Sequence, residues 1–130
     1  MIRAPQINTV INNFTPRFIT SGVPLTDFQE ATDGLIDWED WLPRWVKRGE
    51  IHEEMGLNSM AKGNTLSAAE HLTTASLLFH FAKFMAVQFP KEMKATHARA
   101  VKCHTKALPY LKPPGERVAI SFEGHKLYGN

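Results

Sequence analysis

A chain of 130 residues with 43% hydrophobic and 22% charged residues is long enough to bury a real core, and its composition excludes disorder. Its fifteen basic and thirteen acidic residues leave a formal charge of +2 and are mixed along the chain; nucleic-acid binding is disfavoured, because a phosphate-tracking surface needs Lys and Arg gathered on one face. A single cysteine, Cys103, excludes an internal disulfide or multi-cysteine zinc site; with no signal-peptide core and no unbroken run of ~20 apolar residues for a membrane span, a cytoplasmic protein is expected.

Residues 1–25 carry Pro5, Pro16, Gly22 and Pro24 among Asn and Thr, and this composition predicts a mostly irregular N-terminal arm anchored by Phe14, Phe18 and Ile19. A short helix is expected from Asp27 to Thr32, capped by Thr26 with Gln29 three residues on, and ended by Gly34. Asp37 then caps a long helix from Trp38 to Lys62, with Glu39 and Asp40 favourably placed against the helix dipole. Its expected inward side is Trp38, Trp41, Trp45, Ile51 and Met55. Pro43 is tolerated near the first turns, Gly49 and Gly56 read as weak points of up to ~1 kcal/mol each, and Gly63 stops the helix.

Ser67 and Glu70 have the spacing of a capping box. The run from Leu72 through Phe89 is apolar on almost every side, which predicts a buried central helix ended by Pro90. A third helix, Lys91 to Leu108, carries a thinner stripe at Met93, His97, Ala100, His104 and Ala107. These elements form an antiparallel helical bundle over residues 26–112. After Pro109 the pattern becomes strand-like: Arg117 to Phe122 alternates, Glu123-Gly124 turns the chain, and His125 to Tyr128 returns. A lone hairpin is marginal in water, so residues 113–130 expect a sheet to join, and the stop at Asn130 suggests a larger protein.

None of the five serines lies in a Gly-x-Ser-x-Gly elbow, so none is expected to be a hydrolase nucleophile; Ser67 reads as a cap. The six histidines include no His-Glu-x-x-His, and no Glu is followed three residues later by His, so neither a metal nor another cofactor is expected. His80 lies among Phe79, Phe81 and Phe84 on the most buried helix. It is either a satisfied core histidine or, with Lys83 and Phe84, part of a substrate-cavity wall. Glu50, Glu53 and Glu54 read as a solvated face, and Cys103 as a small packing residue.

The segments NNFTPRFITSGVPLTDF, DWEDWLPRW, GNTLSAAEHLTTASLLFHFAKF and ALPYLKPPGERVAISFEG together resemble the N-terminal helical region of the α/β-hydrolases of the 2,6-dihydroxypseudooxynicotine hydrolase type. The resemblance implies a mainly α fold: an antiparallel bundle serving as a cap domain, followed by a short C-terminal β-hairpin that begins the hydrolase sheet. It also implies a longer parent that hydrolyses carbon-carbon or ester bonds in a small-molecule substrate, with its Ser-Asp-His triad in a C-terminal hydrolase domain. No triad position maps onto this chain, which by itself is not expected to be an enzyme. Apolar surface left exposed would favour a homodimer. The competing reading is a free-standing helical interaction module that binds through the Trp38, Trp41 and Trp45 face or through the terminal strands. The hairpin discriminates: a covered apolar face favours the module, an uncovered one the cap segment.

Overall fold

Ile7, Ile11, Phe14 and Phe18 recur at helical spacing, and this stripe overrides the local breakers of the N-terminal region. The computed structural model describes residues 5–130, and helix α1 spans Pro5–Thr20. The expectation of an irregular arm over residues 1–25 is therefore corrected, apart from the first four residues, which lie outside the described ones. Ile7, Ile11 and Phe18 are buried. Pro16 falls inside the helix near its end, and the joint burial of Ile7, Ile11 and Phe18 offsets the backbone bond lost there.

Gly22, at φ 102°, turns the chain into α2, Leu25–Thr32, which Pro24 precedes without any side-chain cap bond; Thr26 does not cap it. A 3-10 turn over Trp38–Asp40 leads into α3, Trp41–Ala61, again without a side-chain cap from Asp37. The inward face of α3 is Trp41, Trp45, Gly49 and Gly56; Ile51 is only partly buried and Met55 is exposed. Helix α4 spans Thr65–Ala82 and begins after Asn64, so the Ser67–Glu70 box does not form and Ser67 lies exposed within the first turn. The helix also ends earlier than its apolar run: Lys83–Met85 form a 3-10 turn, and Phe84 and Val87 stand in solvent. Helix α5, Pro90–Ala107, starts on proline, where no backbone N–H is missed.

The bundle is organised around α4, whose apolar residues serve two clusters. On one side Phe18, Phe28, Leu35, Trp41, Trp45 and Leu78 make an aromatic core against α1, α2 and α3; on the other, Leu72, Ala75 and Phe79 meet Ala100, Cys103 and Ala107 of α5. Trp41 donates its indole N–H to the Phe81 carbonyl at 3.0 Å, tying α3 to the end of α4. Trp41 and Trp45 are thus core, not a docking face. Gly49 and Gly56 are not merely weak points. Each marks a place where α3 lies so close to α4 that an added Cβ would stand 2.6 Å from the Phe79 ring or 2.7 Å from Leu72 Cγ. These pairings also make α3 and α4 antiparallel. On α5 the buried stripe is Thr96, Ala100, Cys103 and Ala107, one residue round from the expected stripe, which turns His97 and His104 away from the core.

Two antiparallel strands follow, β1 over Val118–Phe122 and β2 over His125–Gly129. Glu123 and Gly124 both have positive φ (45° and 77°), as a two-residue hairpin turn of the kind that matches strand twist requires. The register pairs Ile120 with Leu127 and Phe122 with His125, so Val118, Ile120, Phe122 and Leu127 share one face. That face is uncovered: Ile120 is 57%, Phe122 56% and Leu127 53% exposed.

Candidate functional site

The rotation of the α5 stripe has a chemical consequence, because it sends His97 and His104 toward the outer flank of α4. A groove of about 380 Å³ lies there between α4 and α5, with Leu77, Ala100 and Val101 as its apolar lining. Its polar lining includes His80, Lys83, His97, His104 and, from the approach to the hairpin, Arg117. No Asp or Glu side chain joins them among the described residues. Ser76 donates to the Ala100 carbonyl at 2.7 Å and holds the two helices together at the groove. The Thr73 hydroxyl, also in the lining, is buried without a hydrogen-bond partner.

Lys83 Nζ lies 2.8 Å from His97 Nδ1. An ammonium has only donors, so His97 Nδ1 accepts and the neutral ring carries its proton on Nε2. Burial, then the charges of Lys83 and His97, hold the His80 imidazolium below the usual histidine range, and burial lowers Lys83. His80 is not the core histidine that its aromatic neighbours suggested: it is exposed, with its ring edge-on to Phe81 at 5.3 Å between centroids. Of the three residues expected to line a cavity, His80 and Lys83 share this groove. Phe84 stands apart, 53% exposed, beside clefts formed with Trp38 and Met85 and with Phe14 and Phe18.

A second polar cluster was not anticipated from the sequence. Asp27 of α2 is 2% exposed and accepts from both Arg48 Nε at 2.8 Å and a second guanidinium nitrogen at 2.7 Å through Oδ1. Its Oδ2 lies 2.9 Å from His52 Nε2, and His52 Nδ1 lies 3.3 Å from His71 Nδ1. With Asp27 ionised, Nε2 of His52 donates to it, so in the neutral ring Nδ1 accepts from His71. The cluster locks α2, α3 and α4 together. Nothing in a short polar helix marks Asp27 as the partner of Arg48 and His52.

Glu50 and Glu53, expected on a solvated face, receive the Arg99 guanidinium of α5 at 2.9 and 3.1 Å. Arg99 also lies over the Phe79 ring, 4.5 Å from its centroid. Cys103 donates to Glu53 Oε2 at 3.1 Å. Burial, reinforced by Glu53, pushes this thiol up to about 12, which is the opposite of what a nucleophile needs. On Glu53 burial pushes up, but the bonds from Cys103 and Arg99 outweigh it and hold the carboxyl below its ordinary value. Among the described residues no three His, Cys, Asp or Glu side chains converge on a metal position, and no helix is long and apolar enough to cross a membrane.

No family model matches the chain. Over 110 residues it is 33% identical to the 2,6-dihydropseudooxynicotine hydrolase of Paenarthrobacter nicotinovorans, a match covering 83% of this chain and 29% of that protein. Among solved structures it is similar to the crystal structure of the 2,6-dihydroxy-pseudo-oxynicotine hydrolase, with a TM-score of 0.72 and 31% identity over 86% of this chain and 31% of the other. The chain thus spans less than a third of the length of the hydrolases it matches. In sequence and in fold it is similar to a hydrolase-like N-terminal region.

Proposed function

We propose that this chain is the helical cap segment of a serine α/β-hydrolase, shaping the substrate cavity of a longer enzyme whose catalytic triad lies outside these residues. In this reading residues 26–112 are the cap, residues 113–130 open the hydrolase domain, and the parent works in the cytoplasm on a small molecule. The observation that carries it is the hairpin. Val118, Ile120, Phe122 and Leu127 present one apolar face with nothing over it, whereas a two-stranded hairpin in water needs further strands or a packed layer. A sheet that continues from β1 or β2 supplies both. The similarity to a hydrolase over less than a third of its length supports the same reading.

The chemistry follows from what is present and what is not. Cys103 is a buried, protonated thiol, Ser121 sits on an exposed strand opposite Lys126, and Ser67 is a helical surface residue. Hydrolysis of an ester, or of a carbon-carbon bond next to a ketone, proceeds by attack of a serine activated by histidine, with backbone amides stabilising the oxyanion. Those groups belong to the parent's other domain. The cap excludes water, supplies apolar walls and contributes to selectivity.

The test is a chimaera in which this chain replaces the matched segment of the Paenarthrobacter hydrolase, assayed with a short-chain nitrophenyl ester beside the isolated 130-residue chain. Ester hydrolysis by the chimaera, with only background hydrolysis by the isolated chain, is the expected result. A folded but inactive chimaera, or turnover by the isolated chain, overturns the proposal.

A further inference from the structure

We infer that the groove between α4 and α5 holds the charged end of a small organic anion, with Lys83 and Arg117 as its counter-charges and the His97 and His104 rings beside them. Other inter-helical cations of this protein end on carboxylates. Arg48 ends on Asp27 and Arg99 on Glu50 and Glu53. Lys83 reaches instead to an imidazole, the His97 ring. Arg117 lies over the Tyr128 ring at 4.8 Å from its centroid. The groove therefore gathers one ammonium, one guanidinium and three imidazoles with no carboxylate side chain in its lining among the described residues.

Such a cluster repels itself. The lowered basicity of His80 and Lys83 reflects burial first and, at His80, the neighbouring positive groups. An entering anion reverses that balance: it accepts charge-assisted hydrogen bonds from Lys83 and Arg117, the stronger kind of protein hydrogen bond. The buried Thr73 hydroxyl offers one further polar group. Leu77, Ala100 and Val101 provide apolar contact for a hydrocarbon body, and about 380 Å³ lies within the range of small-molecule sites, roughly 300–1,000 Å³. A concave site of this size suits a compact organic acid better than an acidic protein segment, which needs a longer and flatter surface. The inference rests on the cap reading in one respect only, in making this acid the substrate class of the parent; binding itself is a property of the chain described here.

The experiment is an NMR titration of the isotope-labelled 130-residue chain, amidated at Asn130 because that residue lines the groove, with hydrocinnamate, beside hydrocinnamyl alcohol, inorganic sulfate and an oligoglutamate peptide. The acid is expected to give saturable shifts at the amides of Leu77, Ala100 and Val101, about tenfold tighter or more than the alcohol, as one charge-assisted contact supplies. Lys83→Gln and Arg117→Gln are each expected to weaken the acid about tenfold, with alcohol binding unchanged and the rest of the spectrum in place. Equal binding of the alcohol, sulfate as tight as the acid, tighter binding of oligoglutamate, or no saturable shift each overturns the inference. Failure here leaves the chimaera's hydrolysis untouched, and an inactive chimaera leaves the titration untouched, so the two proposals fail separately.

Discussion

Replacing Gly49 with alanine sets two effects of known sign against each other. Helix propensity favours the change, because glycine inside a helix costs about 1 kcal/mol relative to alanine. Packing opposes it. The new Cβ would lie 2.6, 2.7 and 3.0 Å from Phe79 Cε1, Cδ1 and Cζ, all far inside ordinary carbon-carbon contact. The ring cannot swing into space, since Phe79 is fully buried in the α4–α5 cluster and Arg99 covers it at 4.5 Å. Relief must come from separating α3 and α4, and overpacking of this kind costs about 1–3 kcal/mol. With the propensity gain set against that cost, Gly49→Ala is expected to destabilise the chain by up to about 2 kcal/mol. Urea unfolding reads this as a lower midpoint at unchanged slope. In a Phe79→Leu background the penalty should shrink by about 1 kcal/mol or more, as coupled contacts do. A midpoint that rises for Gly49→Ala would refute the argument, leaving Gly49 an ordinary propensity defect in a loosely seated helix.

Asp27→Asn leaves Arg48 and His52 without their shared carboxylate, and because the Arg48 side chain is 24% exposed the loss should sit near the low end for a broken buried pair, about 3 kcal/mol; a thermal-unfolding loss below about 1 kcal/mol would show the cluster to be slack. Cys103 is expected to react with a thiol reagent at mildly alkaline pH far more slowly in the folded chain than in denaturant, because its thiol is pushed up to about 12. A folded pKa above the ordinary value of 9.0 binds the proton more tightly in the native state, so this group's stabilisation is complete below that value and is lost as pH rises through about 12; equal labelling rates in the two states would contradict it. Ile120→Ser and Phe122→Ser should change stability by no more than about 0.5 kcal/mol while reducing apolar-dye binding and self-association in light scattering. A large fall in stability would mean that this face is already packed within the chain.

Much of the architecture was legible because long apolar patterns survive local noise. The central helix, the following surface helix and the hairpin with its Glu123-Gly124 turn all declared themselves by period and turn chemistry. The failures have distinct causes. Helix α1 was hidden because prolines and asparagines speak locally, whereas Ile7, Ile11 and Phe18 act only once a core exists to receive them. The capping signals at Thr26, Asp37 and Ser67 were genuine in composition, but none of the helices uses them, since backbone groups and the preceding turns fixed the starts instead. Glycines 49 and 56 looked like weaknesses because a close helix approach is a property of two helices and cannot be read from one. The candidate groove was half legible: His80 and Lys83 were adjacent in sequence, but their companionship with His97, His104 and Arg117 depended on a one-residue rotation of α5 that no periodicity resolves.

Under the cap reading the hairpin and the groove are parts of one arrangement. Arg117 immediately precedes β1 and Asn130 follows β2, and both line the groove; whatever sheet receives the hairpin therefore stands at the groove's edge. Docking would cover the Ile120, Phe122 and Leu127 face and at the same time narrow the groove, raising the strength of the Lys83 and Arg117 charges by excluding water. An isolated chain should accordingly bind its anion more weakly than the chimaera does, and Ile120→Ser, at a position outside the groove lining, should weaken the anion in the chimaera while leaving the isolated chain's affinity as it was. A direct effect of Ile120→Ser on the isolated chain would separate the two features and remove the coupling.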